Sequence, residues 1–188
     1  RILRQYISDD RILRLLERII RSFSTEPGKG LPLGNLTSQL FANIYLNELD
    51  QFMKHTLHVK HYARYTDDFV IVSESRTYLE NALPLIETFL KHKLMLRLHP
   101  KKIEIRALSK GVDFLGCIVF PHHRLIRTRT KRRMFANLDR RIAEYRAGHI
   151  PRSTLEQSLQ SYLGALSHTN SYRISEELLN RFWFGLLR

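Results

Sequence analysis

Cysteine is almost missing from this chain, with one residue, Cys117, in 188. A disulfide framework is thereby excluded. A lone thiol inside the apolar run Leu115 to Phe120 is expected to be a core residue of a protein in a reducing, cytoplasmic compartment. Long hydrophobic runs are lacking too. No stretch of about 18 apolar residues occurs and the amino end, Arg-Ile-Leu-Arg, has no signal-peptide pattern, so neither a membrane span nor secretion is indicated. Acidic residues are scarce: 18 Asp and Glu stand against 31 Lys and Arg, a formal charge of +13. The resulting pI near 10.2 points to a polyanionic partner, nucleic acid first. Between Pro121 and Arg152 ten basic residues, Arg127, Arg129, Lys131, Arg132 and Arg133 among them, face only Asp139 and Glu144. Few intrahelical ion pairs can neutralise such a run.

What is present is periodic apolar sequence, 43% hydrophobic, enough for one good core or a domain with a helical appendage. Ile12, Leu15, Leu16, Ile19 and Ile20 predict an amphipathic helix to Ser22, with Asp9 or Asp10 as its N-cap. The Gly- and Pro-rich stretch Glu26 to Gly34 ends it and forms a shaped loop. A second helix is expected from Thr37 or Ser38 to about His55. Ser75 can cap a third, to about Leu94, in which Pro84 should kink the axis or lose one backbone bond. Alternation at Leu94, Leu96 and Leu98, then Ile103 and Ile105, predicts a strand pair bridged by His99-Pro100-Lys101-Lys102. A further strand pair is expected at Asp113 to Phe120 and Arg124 to Arg127, turning at Pro121-His122-His123. Three helices follow, near 131–146, 153–167 and 172–187, with a capping box at Ser153-Thr154-Leu155-Glu156. The order predicts an α+β sheet domain and a small helical domain, with a boundary near residues 121–130.

Tyr65-Thr66-Asp67-Asp68 sets two adjacent carboxylates between strand-like runs, Val59 to Tyr65 and Phe69 to Val72. Asp in a turn ordinarily serves local hydrogen bonding. Two neighbouring carboxylates at a hairpin tip, however, repel each other, and one or two Mg²⁺ ions reverse that cost while binding phosphate oxygens. Asp67 and Asp68 are therefore the candidate metal ligands. His55, His58 and His61 invite a zinc reading, but no fourth ligand has suitable spacing. Trp183 with Phe182 and Phe184 can stack bases or close a helical core.

Pro32-Leu33-Gly34-Asn35-Leu36-Thr37-Ser38-Gln39-Leu40-Phe41-Ala42-Asn43 ahead of Tyr65-Thr66-Asp67-Asp68-Phe69 resembles the core of a bacterial reverse transcriptase. The first segment is similar to that family's motif B, a Gly-containing loop opening a helix, and the second to motif C, the hairpin holding catalytic Mg²⁺. Within the family, Leu33 to Gln39 is similar to the form in diversity-generating retroelements. Retron and group II intron-like enzymes remain open. Leu96 to Ile103 resembles motif D, with Lys102 as the acid for departing pyrophosphate; Gly111 to Gly116 resembles motif E, in which Phe114, Leu115 and Gly116 grip the primer.

The resemblance implies a polymerase palm with an antiparallel sheet and packed helices over residues 1–120, and a basic helical thumb over 121–188. It implies an RNA-directed DNA polymerase using Mg²⁺, with Mn²⁺ able to substitute, on an RNA template, a DNA primer and dNTP, with an accessory protein possible. Catalysis would fall to Asp67, Asp68 and Lys102, nucleotide and template contacts to Tyr65, Thr66, Gly34, Asn35, Ser38 and Gln39, and further nucleic-acid contacts to Arg127, Arg129, Lys131, Arg132 and Arg133. Metals about 3.5–4 Å apart would serve an in-line displacement by a primer hydroxyl. The family's first metal-binding Asp, on a strand before the opening helix, has no match in Arg1 to Ser8, and Asp9 and Asp10 fit N-capping instead. The expectation is an N-terminally truncated fragment with little synthesis of its own. The alternatives are a non-catalytic nucleic-acid-binding module and an intron-splicing cofactor.

Overall fold

The computed structural model describes residues 1–22, 30 and 36–187. Its elements are six α-helices and five short strands among those residues, an α+β arrangement that divides into two compact units, Arg1–Ile105 and Arg106–Arg188. The division precedes the 121–130 segment suggested by the order of elements, and the strands after Arg106 belong to the same unit as the C-terminal helices.

In the first unit, α1 (Asp10–Arg21) starts where Asp9 caps it, the carboxylate accepting from the Arg11 and Ile12 amides. Helix α2 (Leu36–Gln51) does not run regularly to His55 as expected: its last turn, Phe52–Thr56, widens to π-helix. There Leu57 donates to the Phe52 carbonyl, Val59 donates to the Met53 carbonyl, and His58 takes φ 51° to send the chain into a strand. The Tyr78 hydroxyl, donating to the Leu57 carbonyl at 3.0 Å, pins this exit.

Strand β1 (His61–Tyr65) pairs antiparallel with β2 (Asp68–Val72), and α3 (Arg76–Lys93) follows, capped by Ser75. Ala82, Ile86, Leu90 and Leu94 fall at four-residue intervals on one face and are buried with Leu49, Met53 and Val59. Each of these side chains larger than alanine contributes about 1.5–3 kcal/mol. The Phe52 and Phe89 rings stack beside them, centroids 4.1 Å apart.

The strand pair expected at Leu94–Leu98 and Ile103–Ile105 does not form. Leu94 is instead the buried cap of α3, Met95 turns to φ 52°, and the Leu96 amide donates back to the Leu90 carbonyl. Pro100–Lys102 is a single 3₁₀ turn whose flanks lie in no strand among the described residues. Alternating leucines without a partnering backbone read as a strand but do not make one.

In the second unit β3 (Val112–Phe114), β4 (Cys117–Val119) and β5 (Arg124–Ile126) form an antiparallel sheet in that order. Asp113 to Phe120 is thus a hairpin rather than one strand. It folds at Leu115-Gly116, with φ 53° and 81°, the paired positive values of a type I′ turn. Cys117 is half-buried on the middle strand, not a core residue. Asn170, between the last two helices, accepts from the Arg124 amide and donates to the Arg124 carbonyl, tying that turn to β5.

Helices α4 (Thr128–Arg146), α5 (Arg152–Leu166) and α6 (Tyr172–Leu187) bury Met134, Phe135, Leu138, Ile142, Leu155, Leu159, Leu166, Leu178 and Phe182 against one another. Phe182 closes this core, while Trp183 and Phe184 are exposed. The expected capping box is absent. Helix α5 begins at Arg152 with Pro151 as N-cap, and Glu156 pairs with Arg152 at 2.7 Å. No described helix is long and apolar enough to cross a membrane.

Candidate functional site

In the β1–β2 hairpin Tyr65 pairs with Asp68, leaving only Thr66-Asp67 as the loop. Of those two, Thr66 alone takes positive φ, 53°. Its hydroxyl donates to Asp67 Oδ1 at 3.0 Å. Both Asp67 and Asp68 are exposed, and among the described residues neither is engaged in an ion pair. Two exposed carboxylates at one tip are hard oxygen donors of the kind Mg²⁺ and Mn²⁺ take, so the donor set fits such an ion. Among the described residues no third acidic, histidine or cysteine side chain joins them in a metal-holding group. Tyr65 is exposed beside the pair.

The tip is not free to wander, and the reason lies in residues that motif reading passed over. Alternation in β1 points Tyr62 and Arg64 inward, where both reach Asp50 near the end of α2. Arg64 Nε donates to Asp50 Oδ1 at 2.8 Å and Nη2 donates to Oδ2 at 2.6 Å, a bidentate pair. The Tyr62 hydroxyl donates to Asp50 Oδ1 at 2.7 Å. Arg64 Nη1 donates to Asn43 Oδ1 at 3.2 Å and, at 2.8 Å, to the carbonyl of Thr66 in the loop itself. Asn43 and Asp50 are two turns apart on one face of α2.

One guanidinium therefore joins α2 to the β1–β2 turn. The signal in the sequence was an arginine on the inward stripe of a strand, which demands a carboxylate partner. Burial pushes the Asp50 carboxyl up, but the hydrogen bonds from Arg64 and Tyr62 and the charge of Arg64 outweigh it and hold the group below the usual range. Tyr62 is raised by burial and by its bond to Asp50, and Arg64 by that same carboxylate.

The other sequence candidates spread along both units. Ser38, buried, and Gln39, exposed, lie in the first turn of α2, while Gly34 and Asn35 fall outside the described residues. Lys102 is exposed on its 3₁₀ turn. Phe114, half-buried, Leu115, exposed, and Gly116, half-buried, make the tip of the β3–β4 hairpin. Of the basic group, Arg127 pairs with Asp113, and Lys131 donates to Glu177 at 3.0 Å while lying over the Phe135 ring. Arg129, Arg132 and Arg133 are exposed, with no ion pair among the described residues.

Comparison with known sequences gives the same assignment as the motifs. The family model described as reverse transcriptase (RNA-dependent DNA polymerase) matches residues 4–119. Protein YkfC of Escherichia coli (strain K12) is 29% identical over 170 residues, covering 68% of this chain and 42% of that protein. The chain thus spans about two-fifths of the length of the curated relative it matches. With the Tyr-x-Asp-Asp hairpin inside the matched region, this chain belongs to the reverse transcriptase (RNA-dependent DNA polymerase) family.

Proposed function

We propose that this chain supplies the palm (residues 1–120) and thumb (121–188) of a protein that synthesises DNA on an RNA template, and that Asp67 and Asp68 hold its divalent ions. The observation that carries the reading is the exposed acidic pair, without an ion-pair partner among the described residues, at a two-residue tip anchored to α2. Mg²⁺, when bound there, supplies charge to offset phosphate oxygens. Thr66 fixes the Asp67 carboxylate through its hydroxyl, and Tyr65 presents an exposed ring beside the pair for primer or nucleotide. Lys102 would serve as proton donor to the leaving group.

The thumb assignment rests on charge placement. Arg140 and Arg141 share Glu144 in the last turns of α4, whereas the first turns carry Arg129, Lys131, Arg132 and Arg133 with no acidic residue. Cations at a helix N-terminus oppose the macrodipole. A cost of that kind is compensated when a polyanion lies alongside, and nucleic acid is the polyanion for this family.

With two carboxylates and no third ligand among the described residues, the 188 residues alone should bind Mg²⁺ weakly and extend a primer poorly. The test is RNA-templated primer extension by the protein that carries this chain, with nucleic-acid affinity measured in parallel. Asp67→Asn is expected to abolish extension and leave affinity intact or slightly increased. Unchanged extension in that variant overturns the reading. Robust Mg²⁺-dependent extension by the 188 residues alone overturns the statement about the isolated chain.

A further inference from the structure

We infer that Arg64, held by Asp50, is a positioning residue for divalent-ion binding at Asp67 and Asp68; this rests on the metal-site reading above and names what sets its geometry. The Thr66 carbonyl lies one residue before Asp67, and Arg64 donates to it at 2.8 Å. A hydrogen bond at that carbonyl fixes the peptide plane that Thr66 shares with Asp67, and so the direction in which the Asp67 side chain leaves the backbone. The tip needs such a restraint because Thr66, β-branched, sits at φ 53°, a region that side chains of its kind rarely occupy.

Asp50 has a second effect. Arg64 carries a permanent positive charge two residues before the loop, and an unpaired guanidinium there would swing to the exposed carboxylates and compete with any cation. Both oxygens of Asp50 are engaged by Arg64, which spends that charge away from the tip. The Arg64 side chain is only 10% exposed, so it has little room to choose another partner while Asp50 is present. Asn43 holds the remaining side of Nη1, keeping the fork turned toward Thr66. A lysine at position 64 could meet Asp50 but has no planar fork to serve the carboxylate and the Thr66 carbonyl at once.

The experiment is a Mn²⁺ titration of the 188-residue chain, read by electron paramagnetic resonance of free Mn²⁺, with circular dichroism melting as the check on folding. Wild type is expected to lose its Mn²⁺ site on Asp67→Asn. Arg64→Lys and Asp50→Asn should each weaken that site about tenfold, equivalent to about 1.4 kcal/mol. The double variant should be no worse than either alone, because both act through one contact. Asn43→Ala, at an exposed helix position, should keep the fold and weaken binding by about threefold, losing only part of the restraint. A folded Arg64→Lys chain that binds Mn²⁺ within twofold of wild type overturns the positioning role while leaving the metal site standing. Should Arg64→Lys fail to fold, an Asn43→Ala affinity equal to wild type overturns it instead. A wild-type chain whose Mn²⁺ binding ignores Asp67→Asn overturns the metal-site reading, and the positioning role with it.

Discussion

Gly185 on α6 lies so close to Ile142 on α4 that a Cβ on the glycine would stand 2.7 Å from Ile142 Cδ1 and 3.0 Å from its Cγ2. The two helices can approach this closely only because position 185 has no side chain, and Arg146 uses the approach to donate to the Gly185 carbonyl at 2.9 Å. Gly185→Ala would gain about 1 kcal/mol of helix propensity. Overpacking a close helix contact costs about 1–3 kcal/mol, which prevails. The expected result is a lower urea midpoint for Gly185→Ala, with partial recovery in Gly185→Ala/Ile142→Val, where Cδ1 is gone. Additive losses in the two variants would show that Ile142 is not what resists the added methyl.

Asp50 makes stability pH-dependent with a defined sign. Its folded-state value lies below the unfolded 3.8, so its contribution is present above about pH 4 and disappears as pH falls through the depressed value. Removing one partner of a largely buried ion pair costs about 3 kcal/mol, and the 27% exposure of the Asp50 side chain reduces this to about 2 kcal/mol. Asp50→Asn should therefore be less stable than wild type at pH 7, with the gap closing as pH falls below about 4 and through the depressed value. Tyr62 acts at the other end. Its value is raised above 10.0, so its contribution is full below about pH 10 and is lost as pH rises through the raised value. Tyr62→Phe should remove that alkaline limb. Denaturant melts at several pH values decide both, and a wild-type-to-Asn gap constant from pH 7 to pH 2 would exclude the Asp50 account.

Leu115 stands at φ 53° and is 54% exposed, at the first loop position of the β3–β4 hairpin. A left-handed conformation costs a leucine about 1 kcal/mol, whereas Asn-Gly is the preferred pair for this turn. Leu115→Asn should accordingly raise stability by about 0.5–1 kcal/mol in a urea melt. If the leucine is kept for contact with a primer, the same variant of the protein carrying this chain should extend primers less well. A variant that is neither more stable nor less active would remove the reason for strain at this position.

The elements that the sequence made legible were those announced by their own periodicity and caps. Asp9 and Ser75 cap the helices predicted for them, and the apolar stripe Ala82, Ile86, Leu90 faces the core. Helix α3 runs through Pro84 without interruption. The failures came where a local pattern depends on something distant. Leu94 to Leu98 alternates, but a strand exists only with a partner. Ser153 and Glu156 have capping-box spacing, but Pro151 starts the helix two residues earlier and Arg152 takes the glutamate. At the site, the acidic pair was visible because its chemistry is in adjacent letters. The clamp of Asn43, Asp50, Tyr62 and Arg64 was not, because its members come from a helix and a strand whose packing no spacing encodes.

Charge on α4 gives a prediction that separates structural arginines from those available to a polyanion. Arg127, 46% exposed, is paired with Asp113, and Lys131 with Glu177. Arg132 and Arg133 are exposed and have no ion-pair partner among the described residues. Each phosphate neutralised contributes about −0.9 to the slope of log affinity against log salt on duplex DNA and about −0.7 on single strands. Arg132→Gln and Arg133→Gln should each reduce the slope by about one such unit and leave the melting temperature unchanged. Arg127→Gln should alter stability by up to about 1 kcal/mol, as for other exposed pairs, with a smaller change in slope because Asp113 already offsets its charge. Fluorescence anisotropy with an RNA–DNA hybrid across a salt series makes the comparison. Equal slopes for wild type, Arg132→Gln and Arg133→Gln would mean that these side chains do not touch phosphate, and their charge at the start of α4 would then lose its functional explanation.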